Sequence, residues 1–186
     1  MTKKTQTFGV AAILATLTLA AAPLPAQTEP GQPDPLIQSA VDASSYMKGV
    51  FTKSAEQMSE EDYAFKPTPE VRSFGQLLAH VADTNYWFCA AAKGEPQPVS
   101  GLEKSKTTRA DIQKALAESF TYCDGAYTGM TDAKARTMVQ FGGKPRPALA
   151  ILMFRTHHAA LHYGNVVTYM RLRGKVPPTS QGQPEG

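Results

Sequence analysis

Four stretches of this chain repeat apolar residues at three- and four-residue steps, and proline or glycine clusters separate them, which restricts the fold to packed amphipathic helices. Leu36, Ile37, Ala40, Val41, Met47, Val50 and Phe51 mark the first helix, from about residue 35 to 58. It stops before "SEEDYAFKPTPEVRS", where Pro67 and Pro69 forbid regular helix. The second begins near Ser73, an N-cap residue with Gln76 in capping-box position, and runs to about Ala92 before "KGEPQP" breaks it. The third spans about Thr108 to Gly129, opened by "TTRAD", with Ile112, Leu116, Phe120 and Cys123 along one stripe. The fourth spans about Pro147 to Arg173, with Pro147 in its first turn and Gly174 as C-cap.

Between the third and fourth helices, "RTMVQFGGKPRP" is ambiguous: Met138, Val139 and Phe141 suit a short strand or an extended loop before the glycines turn the chain. No internal repeat and no convincing strand set emerges. The expected fold is all-α, a four-helix bundle over residues 34–180 with a flexible tail at 181–186.

Ahead of the bundle, "MTKKTQTFGVAAILATLTLAAAPLPA" has two lysines, an apolar run and small residues before Gln27, the pattern of a secretory signal peptide over residues 1–26. Its apolar run, Phe8 to Ala22, falls short of the roughly 20 residues that span a bilayer, so no stable membrane insertion is expected after cleavage. Residues 27–33 read as a polar, proline-rich linker. The mature chain is expected to be exported, to the periplasm or the medium.

Cleavage there removes Lys3 and Lys4 from the 19 Lys and Arg, and no acid from the 16 Asp and Glu, leaving a net charge near +1. The basicity belongs mostly to the leader, and no clustered cationic surface argues for nucleic acid as a partner. Cys89 and Cys123 could form one disulfide in an oxidising compartment, or remain two buried thiols. No C-x-x-C is present, which leaves a thioredoxin-type site and a zinc ribbon unsupported.

Three of the four histidines crowd into "HHAALHYGN". His158 and His162 are four apart on the fourth helix, a spacing that turns about 40° around the axis and rises about 6 Å, so both rings leave one face. Such a pair is half of a metal site, or two surface or capping histidines. His80 falls on the apolar stripe of the second helix with Leu77 and Thr84, where a lone histidine is ordinarily a core residue with one hydrogen bond. Three histidines on inward faces of two helices nevertheless invite a shared ion, and neutral imidazole suits zinc, nickel, copper or iron. His157, about 100° away from His158 around the axis, points elsewhere. Cys89 is half a turn out of phase with His80 and does not belong to the site. Asp83 offers an acceptor for an imidazole N–H, or is simply a solvated carboxylate.

"HAALH" lacks the glutamate of the H-E-x-x-H zinc proteases, since Ala159 follows His158, and peptidase chemistry is disfavoured. No G-x-S-x-G, P-loop or G-x-G-x-x-G motif occurs. The cluster Tyr86, Trp87 and Phe88 reads as core.

Two segments carry a resemblance. "DYAFKPTPEVRSFGQLLAHVADTNYWF" is similar to the proline-rich turn and His-bearing second helix of the DinB-like superfamily of metal-binding four-helix bundles, and "HHAALHYGNVVTYMRLRGKVPP" resembles its last helix and Pro-Pro exit. The resemblance spans about Asp34 to Ser180. It implies His80, His158 and His162 as the three protein ligands of a divalent metal ion, zinc or nickel foremost, with water or substrate completing the shell. It also implies an open pocket for a small-molecule substrate beside the metal, and characterised members include transferases and isomerases that use low-molecular-weight thiols. The expectation is a metal-dependent hydrolase or thiol transferase with no dedicated general base, its alternative a non-catalytic metal-binding or stress-related bundle. A homodimer is compatible with either.

Overall fold

The four expected helices form, with ends within two residues of those read from the sequence. The computed structural model describes residues 35–182; the expected leader and linker, Asp34 and residues 183–186 lie outside the described residues. The chain runs α1 (Pro35–Gln57), α2 (Glu60–Ala64), α3 (Phe74–Lys93), α4 (Leu102–Ser105), α5 (Arg109–Tyr127), α6 (Asp132–Arg136), β1 (Met138–Phe141), β2 (Lys144–Pro147) and α7 (Ala148–Leu172), then a single 3₁₀ turn at Pro178–Ser180. Among the described residues no helix is long and apolar enough to cross a membrane.

Local chemistry sets the ends. Ser73 accepts the backbone N–H of Gln76 while the Gln76 side chain accepts that of Ser73, the reciprocal box that opens α3. Thr108 caps α5 with a single bond, its hydroxyl accepting the backbone N–H of Asp111. At the end of α7 the chain passes through Gly174 at φ +68°, and the N–H groups of Gly174 and Lys175 return to the carbonyls of Arg171 and Met170. A residue with a side chain would be strained there, which is why the helix stops at a glycine.

The ambiguous segment is a hairpin. β1 and β2 pair antiparallel from Met138 opposite Pro147 to Phe141 opposite Lys144, turning on Gly142 and Gly143, both at positive φ. Such a two-residue turn needs positive φ at both positions, and paired glycines supply it without steric cost. Pro147 therefore ends β2 and caps α7 instead of lying in the helix's first turn. Its missing N–H is harmless at either place, so residue type alone does not separate them.

The long helices pack in the cyclic order α1, α5, α3, α7, so α1 faces α3 and α5 faces α7 across the core. The first and third connections cross these diagonals, which accounts for their length and for the short elements inside them. One core cluster gathers Phe51, Leu78, Phe120, Tyr163 and Met170. A second surrounds a disulfide between Cys89 of α3 and Cys123 of α5, both fully buried, with Cα atoms 5.3 Å apart.

A polar tie runs through this apolar interior. Arg155 of α7 is 1% exposed; it donates from Nη1 to Asn85 of α3 at 3.0 Å and from Nη2 to Ser44 of α1. Asn85 in turn donates to Ser119 of α5 at 3.1 Å. One buried network thus touches all four long helices, and an unpaired member would cost the full desolvation of its polar group.

Candidate metal centre

α3 and α7 run antiparallel, and that packing brings His80 to the two histidines of α7. The ring centroids lie 5.5 Å apart for His80 and His158, 4.8 Å for His80 and His162, and 4.4 Å for His158 and His162. One nitrogen from each ring lies within 4.8 Å of the others, so this group could hold a metal ion. The Nε2 atoms of His158 and His162 are 3.1 Å apart. Two nitrogens each about 2.0–2.1 Å from a shared ion are separated by about 3 Å, so the His158 and His162 pair is already at the spacing a cation needs, with His80 within reach.

The rings are partly buried, and a network outside them orients His80. Its Nδ1 lies 3.3 Å from Oε2 of Glu103, whose Oε1 accepts the Nε–H of Arg72 at 2.9 Å. A proton on Nδ1 shared with this carboxylate leaves Nε2 as the basic nitrogen, the arrangement that makes imidazole a good ligand. Glu103 was not foreseen: it sits on the four-residue α4, too short to show periodicity. Asp83 explains why α4 exists. With Gly101 at its N-cap, α4 has no side chain of its own to close it, and the Asp83 carboxylate accepts the backbone N–H groups of Leu102 and Glu103, both at 3.0 Å. Asp83 thus neither bonds an imidazole nor stands free in solvent; it fixes the helix that presents Glu103.

The remaining expectations divide. Cys89 is locked in the disulfide, away from the triad. His157 is exposed and lines a groove between α7 and α1. Tyr86 and Phe88 are core, but Trp87 is 46% exposed because it sits on the outer side of α3, over the hairpin.

Burial keeps the triad neutral. It is the largest influence pushing His162 down to about 4, with the neighbouring His158 and His80 adding to it. His158 is lowered by burial first, then by His80 and Arg72. His80 is lowered by burial and the Arg72 charge, against the opposing pull of Glu103. Nδ1 of His162 is buried with no hydrogen-bond partner among the described residues, so the polar interaction of this ring runs through Nε2. Beside His162 opens a cleft of about 580 Å³, lined also by Lys66, Glu70, Arg72, Glu103 and Asn165. A larger cleft of about 840 Å³ shares Glu103 but touches none of the imidazoles.

The sequence matches the DinB superfamily model over residues 47–166, and the chain belongs to that family. Among solved structures, it is similar to a DinB-like protein from Bacillus cereus, with a TM-score of 0.69 at 19% identity, covering 76% of this chain and 95% of that one. A DinB-like protein from Bacillus subtilis matches with a TM-score of 0.59 at 16% identity, over 74% and 94% of the two chains. A mycothiol-dependent maleylpyruvate isomerase shares the fold with a TM-score of 0.55 at 16% identity, over 68% of this chain and 58% of that one. No curated protein matches the sequence.

Two outcomes follow from this geometry. Replacing Glu103 by Ala frees His80 to rotate and is expected to weaken divalent-metal affinity about 10- to 100-fold in a competition titration with a chromogenic chelator; unchanged affinity would show that Glu103 does not orient the ligand. Second, the folded-state pKa values of the three imidazoles lie below the unfolded value of about 6.5, so the unfolded chain binds more protons in between. Their contribution is full above pH 6.5 and declines as pH falls toward 4, the region where His162 titrates. Denaturant midpoints of metal-free protein should fall over that window, and substituting the triad by Gln should flatten the decline.

Proposed function

We propose that this is an exported, metal-dependent enzyme of the DinB superfamily in which His80, His158 and His162 hold one divalent ion, zinc or nickel. The observation that carries the reading is the convergence of three imidazoles on one point, with one of them backed by a carboxylate. Structural sites usually close their shell with four protein ligands, whereas three leave a position for a substrate. The cleft at His162 supports such an opening. The leader-like N-terminus and the buried Cys89–Cys123 disulfide support export, since disulfides persist in oxidising compartments.

When bound, a divalent cation supplies Lewis acidity to a thiol, carbonyl or ester oxygen that reaches it. The chain's own residues do the rest: the imidazoles stay unprotonated at neutral pH, Glu103 keeps the Nδ1 proton of His80, and the core wall behind them limits water to the cleft side. Glu103, the carboxylate that touches His80, is already shared with Arg72 and is not available as a dedicated base, and Glu70 in the cleft wall is held below the ordinary carboxylate range by hydrogen bonds of its own turn, which makes it a weak one. Transfer of a low-molecular-weight thiol group, or hydrolysis of a small ester or amide, therefore suits the site better than chemistry requiring a strong protein base. The mycothiol-dependent isomerase among the fold neighbours favours thiol chemistry.

The test is a screen of metal-loaded mature protein with small thiols plus electrophilic acceptors, and with small esters and amides. Turnover is expected with at least one class, to be abolished by a chelator and to fall at least 100-fold in His158→Ala. Absence of turnover in protein carrying one equivalent of metal would replace the enzyme by the non-catalytic metal-holding bundle.

A further inference from the structure

We propose that the substrate is an amphipathic carboxylate: its carboxylate enters the cleft at Arg72 and Lys66, and its aromatic or branched apolar body lies on an exposed shelf of Trp87, Phe141 and Phe154. This rests on the metal reading above and adds the class of molecule served.

The shelf comes from three elements that meet beside the triad. Phe88 is buried and forms its floor, with ring centroids 5.4 Å from His158, 4.8 Å from Trp87, 5.4 Å from Phe141 and 5.9 Å from Phe154. Phe141, carried by the hairpin, packs tilted against Trp87 with ring centroids 4.7 Å apart. Phe154 is 59% exposed, so two large aromatic side chains, Phe154 and Trp87, face solvent on a surface continuous with a metal ligand. Exposed aromatic clusters of this kind mark binding surfaces, and Trp and Phe faces accept planar or branched apolar groups.

The opposite end of the triad is polar. Arg72 is held by Glu103 through one edge of its guanidinium, and the Tyr169 hydroxyl fixes its backbone carbonyl at 2.7 Å. A guanidinium held this way offers its other N–H groups in a fork that matches a carboxylate. Lys66 and Arg72 balance Glu70 and Glu103 in the cleft wall, so a bound divalent ion tips the cleft to positive.

Spacing joins the two ends. Trp87 is seven residues beyond His80 on α3, and Phe154 is eight before His162 on the antiparallel α7, so both lie toward the same end, about 10–12 Å along the helix axes. Arg72 lies on the other side of the triad, beyond Glu103, so a ligand that touches both Arg72 and the shelf is longer than this offset.

Trp87 is the one tryptophan of the chain, and its emission reports directly on the shelf. Zinc-loaded mature protein would be titrated with 8-phenyloctanoate, long enough to span both ends, and separately with acetate and 8-phenyloctan-1-ol, each keeping one half of the probe. A saturable change in Trp87 emission with phenyloctanoate is expected, with a Kd at least tenfold below either control. Lys66→Gln should shrink the advantage over the alcohol, and Phe154→Ser the advantage over acetate, each compared in protein holding one equivalent of zinc. Equal Kd values for the three probes in protein holding one equivalent of zinc would overturn the substrate class and leave the metal reading standing. Protein holding no zinc would overturn both. A concentration-dependent dimer in sedimentation that Phe154→Ser dissociates would overturn it in favour of an interface between two copies.

Discussion

A guanidinium held in the middle of the bundle sets the alignment of everything around it. Arg155 reaches across to Asn85 and Ser44, and Asn85 onward to Ser119, so each of the four long helices contributes one polar group to a single buried network. Apolar packing tolerates small slides of one helix along another; a buried hydrogen bond does not, because slippage strands a charged or polar group away from water. Arg155 lies three residues before His158 and Asn85 five after His80 on antiparallel helices. The contact that locks α3 to α7 therefore also fixes the height at which His80 meets His158 and His162. The disulfide adds a covalent link between α3 and α5 in the same layer.

The imidazoles are placed a second time from outside. Asp83 closes the N-terminus of α4, α4 presents Glu103, and Glu103 takes the Nδ1 side of His80 while pairing with Arg72. Burial and the nearby cationic Arg72 oppose protonation of the rings, so close approach of three histidines does not gather three positive charges at neutral pH. Such a cluster has lone pairs converging with little to satisfy them internally, a condition that a cation relieves.

Much of this was legible in the sequence, for identifiable reasons. Helices of twenty residues show their period several times over, and Ser73, Thr108 and Gly174 punctuate them with residues whose chemistry suits no other role as well. The i, i+4 spacing placed His158 and His162 on one face, and the apolar stripe around His80 pointed it inward. Glu103 and Arg72 were invisible because one sits on a four-residue helix and the other in a proline-rich loop, where spacing carries no directional information. Asp83 reads from the sequence as an imidazole acceptor or a solvated carboxylate and is neither, since helix spacing does not reveal which distant backbone a carboxylate will cap. Trp87 was read as core by composition, although its position between Tyr86 and Phe88 turns it outward. The pairing of Cys89 with Cys123 depended on tertiary proximity alone, which the bundle supplies.

X-ray absorption at the metal edge of zinc-loaded mature protein would test the centre most directly. A three-imidazole site predicts one zinc per chain, a first shell of nitrogen and oxygen scatterers with outer-shell features of three imidazoles, and a further light-atom ligand that a small thiol replaces with sulfur. Substoichiometric zinc, a shell lacking imidazole scattering, or a thiol-insensitive fourth protein ligand would contradict a substrate-accessible three-histidine centre.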